Sequence, residues 1–268
     1  MFSSSVTIAH ILLILMITSR LSSSFTTIQR LTHRSAASLS TSASSSASSA
    51  SPASSALKST KPPLVICGPS GVGKGTLISR AIFGGTKGSP ILDGSLFAFS
   101  VSHTTRLPRV GEAHGLDYHF TSPSFFSSCP PSFFVERAQV HGNMYGTSVA
   151  AVEEVVKGGK VCVLDLDVQG VKSLKAIKEG GGSEIFEGTK FVFIAPPDIE
   201  TLEKRLVNRG SESEETLRMR LGNAAEEMEY GLEGGNFDEV VINDSVERAT
   251  EDLVRVIEKM YPDVVRTT

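Results

Sequence analysis

The chain has 268 residues, is 40% hydrophobic and carries 26 basic against 29 acidic side chains, a formal net charge of −3. That length suits one domain of about 200 residues with its own core, plus an extension. The three cysteines, Cys67, Cys129 and Cys162, show no ligand spacing, and two sit inside apolar runs, which argues against a disulfide framework or a cysteine zinc site.

The charge is uneven along the chain. Residues 1–61 hold five basic residues, Arg20, Arg30, Arg34, Lys58 and Lys61, and no Asp or Glu. The remainder keeps the other 21 basic residues against all 29 acidic ones, a mildly acidic body that argues against nucleic acid as the main partner. Within the first segment (1–24), Val6 to Ile17 is an apolar stretch of about a dozen residues. It is too short for a comfortable membrane span and fits a signal-peptide core, so no stable span is expected in the mature protein. The next segment (25–61) is rich in Ser, Ala and Thr, a transit-peptide composition that cannot form a packed core. The order resembles the two-part presequences of algae with secondary plastids, with Phe25 after Ser22-Ser23-Ser24 as the aromatic residue following signal cleavage. A plastid location is the expectation. Simple secretion, a mitochondrial presequence and a wrongly chosen start codon are the alternatives.

The body opens on an apolar run, Leu64 to Cys67, then Gly68-Pro69-Ser70-Gly71-Val72-Gly73-Lys74-Gly75-Thr76, then a helical pattern from Leu77 to Ala81. Strand, glycine-rich turn and helix are the setting of a phosphate-binding loop. The glycines let backbone N–H groups turn inward around a phosphate, and Lys74 brings a full positive charge to it. The position after the lysine normally supplies a hydroxyl to Mg²⁺; here it is Gly75, so metal must rely on phosphate oxygens, water and another residue.

Further apolar runs at Ala98–Ser102, Val161–Leu166, Phe191–Ala195 and Val240–Ile242 read as strands of a covered, mostly parallel sheet. Helical patterns lie between them. Ser148–Lys157 stops at Gly158-Gly159. Asp198–Arg209 puts Ile199, Leu202 and Leu206 on one face, and Val246–Met260 puts Val246, Ala249, Leu253 and Ile257 on one stripe. The alternation predicts an α/β layered fold. Residues 103–147 break this rhythm and read as a small inserted subdomain.

That insert carries Ser102-His103-Thr104-Thr105-Arg106-Leu107-Pro108-Arg109, then Gly115-Leu116-Asp117-Tyr118, Phe134-Val135-Glu136-Arg137-Ala138 and His141-Gly142-Asn143-Met144-Tyr145-Gly146-Thr147. Asp165-Leu166-Asp167-Val168-Gln169-Gly170 follows the third predicted strand. Taken in order with the phosphate loop, these motifs closely resemble the guanylate kinase family, from about Pro62 to Tyr261. The resemblance implies a P-loop three-layer α/β domain over about 62–262, with a parallel central sheet. It also implies a GMP-binding subdomain at about 98–147 and a helical lid at about 205–222.

It further implies ATP as co-substrate, Mg²⁺, and a role for each matching residue. Gly68 to Thr76, with Arg209 and Asn243, would bind ATP. Lys74, Arg205, Arg209 and Arg220 would hold the moving phosphoryl group. Arg106 and Arg109 would clamp the GMP phosphate with the hydroxyls of Tyr118 and Tyr145, since guanidinium forks match phosphate oxygens. Glu136 would read guanine, whose N1–H and N2 amino group offer two parallel donors to one carboxylate. Ser102 and Thr147 would add hydroxyls and Asp167 would line the same pocket. Asp165 or Asp167 would support Mg²⁺ through water. The implied reaction is ATP + GMP ⇌ ADP + GDP, with dGMP as a second acceptor, in a monomer. A catalytically inactive protein-binding module of the same family is the alternative reading. Arg137 stands where Trp is common, Met144 where Tyr is frequent, and segments 84–96 and 179–188 are long and glycine-rich. The first two departures are expected near the GMP site, the segments in surface loops.

Overall fold

The computed structural model describes residues 61–84, 89–140, 142–208 and 214–267. Both expectations for the N-terminal extension, and Arg209, lie outside the described residues.

A five-stranded, wholly parallel sheet forms the core, in the order β2-β7-β1-β8-β9. Its strands are β1 (Leu64–Cys67), β2 (Phe97–Phe99), β7 (Val161–Leu166), β8 (Lys190–Ala195) and β9 (Glu239–Ile242). β1 lies at the centre and is buried along its whole length, as a strand covered on both faces must be. Leu64 and Ile66 share one cluster with Leu77, Ile78, Leu202, Leu206, Leu253 and Ile257. Those partners come from α1 (Lys74–Ile78), α5 (Ile199–Val207) and α7 (Val246–Met260). α1 widens into a π turn over Ser79–Phe83.

Side-chain caps fix where most helices begin. Ser148, Asp167, Asp198 and Ser245 each accept a backbone N–H three residues on, at the starts of α3 (Val149–Lys157), α4 (Val168–Glu179), α5 and α7. The predicted stripe of α7 is the buried one: Ala249, Leu253 and Ile257 are fully enclosed.

The insert forms a second sheet, β4-β3-β6-β5, with β3 (His103–Thr104), β4 (His119–Phe120), β5 (Phe134–Val140) and β6 (Asn143–Ser148). A short helix, α2 (Pro123–Ser128), covers it. Its small core is aromatic: Phe126 stacks on Phe134 at 4.8 Å and His103 stacks on Phe125 at 5.7 Å. Burial, with His119 and His114 nearby, pushes the His103 imidazole down to about 4, so it packs as a neutral ring.

The structure revises several expectations. The second strand spans Phe97–Phe99 and ends before Ser102, because the chain leaves the parallel sheet there to enter the insert. The segments 84–96 and 179–188 are not merely surface loops. Leu92 and Phe186 are fully buried, so each segment anchors a large side chain in the core. The long helix α4 had no sequence-based expectation, and α6 (Glu214–Leu232) runs well past the end of the helical lid expected at about 205–222. No helix among the described residues is long and apolar enough to cross a membrane.

Candidate active site

The phosphate loop leaves β1 at Gly68, whose φ is +152°; a Cβ there would meet the Ile194 carbonyl oxygen at 2.3 Å. Only glycine allows β1 to release the loop so close to β8. Gly73 takes φ +103° at the N-terminus of α1, and its carbonyl accepts from Thr76 and Leu77. The Lys74 ammonium crosses the loop, donating to Gly68 O at 2.6 Å and lying 3.7 Å from an Asp165 carboxylate oxygen. Pro69, Ser70, Gly71, Gly73, Lys74, Gly75, Thr76 and Asp165 line one cavity of about 370 Å³.

Three of the residues expected at the ATP side, Arg220 and Arg205 for the phosphates and Asn243 for the nucleotide, touch the loop in different ways. Arg220 of α6 donates Nη1 to the Ser70 hydroxyl at 3.3 Å. Arg205 of α5 donates to Val72 O at 3.3 Å and to Asn243 O at 2.7 Å. Asn243 is only 2% exposed and donates its Nδ2 to the same Val72 carbonyl at 2.7 Å; its Oδ1 has no partner among the described residues. Arg205 and Asn243 therefore support the loop from beneath through one carbonyl.

The two candidate metal aspartates differ. Asp167 spends one carboxylate oxygen capping α4, accepting from Gly170 N–H at 2.7 Å. Asp165 opens on the loop cavity, with 41% of its side chain exposed. Burial pushes its carboxyl up and the Lys74 ammonium opposes that shift. Among the described residues no cluster of three or more His, Cys, Asp or Glu forms a metal cage. One exposed carboxylate beside a phosphate cradle suits a hard cation such as Mg²⁺, which keeps several waters and arrives with phosphate oxygens.

On the insert, Arg106, Tyr118 and Tyr145 meet. The Arg106 guanidinium lies 5.4 Å from the Tyr118 ring centroid, and the rings of Tyr118 and Tyr145 stand edge to face at 6.0 Å. Its Nη2 donates to Glu112 Oε1 at 2.9 Å. Arg109 is exposed on the same loop. A separate hydroxyl chain leads to Glu136: Ser102 Oγ lies 3.3 Å from Thr147 Oγ1, which donates to Glu136 Oε1 at 3.1 Å. Burial is the main cause that pushes the Glu136 carboxyl up to about 7; the Thr147 bond opposes it, and Asp167 and Asp165 add repulsion.

Arg137 lines a second cavity beside Glu136, but its guanidinium is committed elsewhere. It turns away from Glu136, donates to the carbonyls of Phe126, Cys129 and Pro130, and stacks on Phe134 at 4.8 Å. Adjacent strand residues face opposite sides, so this position ties α2 to β5. Met144 meets the site through its backbone, which is bonded to both Thr104 and Thr105 side chains.

Two residues escaped the sequence reading. Glu112 sits three residues after Arg109, and that spacing was the available signal. Glu227 of α6 is half-buried near Lys74 and Asp167, and burial pushes its carboxyl up to about 7. It lies seven residues after Arg220, two helical turns along the same face.

A glycine-rich phosphate loop between the central strand and α1, with an insert that carries its own arginine and a half-buried carboxylate, defines a nucleotide-binding protein of the P-loop class. The family model described as guanylate kinase matches residues 60–260. Guanylate kinase 1 of Oryza sativa subsp. japonica is 46% identical over 196 residues, 73% of this chain and 47% of that protein. The guanylate kinase of Schizosaccharomyces pombe is 45% identical over 192 residues, 71% of this chain and 87% of that protein. The chain therefore spans about half the length of the rice relative and most of the yeast one. The crystal structure of guanylate kinase from Anaplasma phagocytophilum aligns at 26% identity over 76% of this chain and 87% of that one, with a TM-score of 0.46. The chain belongs to the guanylate kinase family.

Proposed function

We propose that this protein catalyses the reversible transfer ATP + GMP ⇌ ADP + GDP. The observation that carries the reading is the half-buried Glu136 at the end of the Ser102–Thr147 hydroxyl chain, on the same insert as the Arg106–Tyr118 pair. A carboxylate accepts both guanine donors, whereas adenine would set an acceptor against it. dGMP, which offers the same guanine donors to Glu136, is a second acceptor in this reading.

No general base is required. The attacking oxygen belongs to a phosphate monoester whose second pKa is about 6, so it is largely ionised near neutrality. The protein's work is positioning and charge neutralisation. Lys74 would exchange its contacts with Gly68 O and Asp165 for phosphate oxygens. Arg220 would hold the transferred group from the lid, and Arg106 and Arg109 the acceptor. Asp165 would hold Mg²⁺ through water, with Gly75 contributing nothing to the ion; the ion supplies charge neutralisation on the phosphates. Lid closure would exclude water, the competing acceptor.

Lys74→Ala tests the assignment: transfer should be lost while GMP binding, followed calorimetrically, persists. Near-normal turnover would defeat it. For the extension, the composition of residues 1–61 supports plastid targeting. A fluorescent fusion of that segment should coincide with chlorophyll; a mitochondrial or secreted signal would contradict this.

A further inference from the structure

The loop that bears both acceptor-side arginines has little apolar anchorage. Every residue from Thr105 to Phe120 is partly or wholly exposed, and Leu107, Val110 and Leu116 project into solvent. Such a loop keeps a fixed shape through its hydrogen bonds. One carboxylate joins the two arginines. Glu112 Oε1 accepts from Arg106 Nη2 at 2.9 Å, and Oε2 accepts from the Arg109 backbone N–H at 2.7 Å. The Glu112 N–H donates back to Arg109 O at 3.0 Å, so the turn is closed twice. The ion pair is shielded, with the Arg106 and Glu112 side chains 15% and 19% exposed. Arg106 is fixed further by donating to Leu107 O at 2.8 Å and by lying over the Tyr118 and Phe120 rings at 5.4 and 5.8 Å.

We infer that Glu112 is a positioning residue for the acceptor phosphate. It fixes one edge of the Arg106 guanidinium and the backbone at Arg109, so both arginines meet the phosphate already oriented. A free carboxylate here would repel that phosphate. Here the Arg106 guanidinium offsets the Glu112 charge, and the two hydrogen bonds hold its oxygens on the clamp's own N–H groups. Preorganisation of this kind acts on acceptor affinity, because the ordering cost is met before GMP arrives. The role rests on the GMP reading above.

Steady-state kinetics on the full chain, with thermal melting in parallel, separate the possibilities. Wild-type turnover of GMP is the reference, and its absence overturns the kinase reading and this role with it. Given turnover, Glu112→Ala should raise KM for GMP by roughly tenfold or more, the loss expected for a charge-assisted bond. KM for ATP and kcat should stay within about twofold, and the Tm should move by less than about 3 °C, as for a surface substitution. Glu112→Gln keeps one carbonyl oxygen for one of the two donors and should fall between. An unchanged KM for GMP in the alanine variant, a loss confined to kcat, or a joint rise of both KM values with a lowered Tm would each overturn the positioning role.

Discussion

Replacing Glu136 with Gln should exchange guanine selectivity for stability. In the nucleotide-free protein, burial holds this carboxyl at about 7 against 4.5 for an unperturbed Glu. The folded state therefore binds more protons than the unfolded chain between those values, and stability falls as pH rises through that window. Above pH 7 the ionised group costs at most about 3 kcal/mol. Glutamine keeps the shape without the charge. Glu136→Gln should raise the Tm at pH 8 and change it little at pH 5, where the wild-type carboxyl is already neutral. Against guanine the amide offers one acceptor and one donor where two acceptors are needed. Losing a charge-assisted bond and leaving a buried donor unpaired costs about 3 kcal/mol, about a hundredfold in kcat/KM for GMP. AMP, whose ring nitrogen and amino group complement an amide, should lose far less. The wild-type KM for GMP should also climb below pH 7 as Glu136 protonates, and this part of the pH profile should vanish in the variant. The phosphate's own ionisation near pH 6 affects both proteins and cancels in the comparison. A GMP-to-AMP selectivity within about threefold of wild type, with no gain in Tm at pH 8, would refute the reasoning.

Other substitutions probe separate parts of the site. A Cβ at Gly75 meets nothing within 4 Å among the described residues, so Gly75→Ser should fold normally and lower the half-saturating Mg²⁺ concentration severalfold in a metal titration. Asn243→Ala removes the 2.7 Å bond to Val72 O and leaves that carbonyl to Arg205 alone; it should cost about 1–2 kcal/mol in denaturant melts and raise KM for ATP without raising KM for GMP. A Cβ at Gly231 would sit 2.2 Å from the Phe193 ring, so Gly231→Ala should destabilise the α6–β8 packing by about 2 kcal/mol, visible as a lowered Tm with kinetics intact at low temperature.

Much of this was legible in the sequence where one local rule decided the outcome. The phosphate loop announced itself because glycine, lysine and flanking apolar runs all serve one geometry. The α7 stripe was readable because its apolar residues recur at helical spacing, and they are the enclosed ones. α4 and α6 were harder. Their buried faces are narrow, carried by Val171 and Leu174 in one and Ala224 and Met228 in the other, among many charges. The role of Arg137 was harder to read because its neighbour Glu136 drew attention to the pocket, and only the strand's alternation turns its guanidinium to the other face. The support roles of Arg205 and Asn243 depend on a carbonyl more than a hundred residues away in sequence, which no spacing rule reveals.

The central claim is guanine-specific phosphoryl transfer. Its most direct test is coupled ADP production by the full chain from ATP and Mg²⁺, with GMP, dGMP, AMP and UMP offered in parallel. Turnover with GMP and dGMP far above AMP and UMP is the predicted result. Equal turnover of AMP or UMP would contradict the role given to Glu136, and a folded protein silent with all four acceptors would contradict the kinase reading itself.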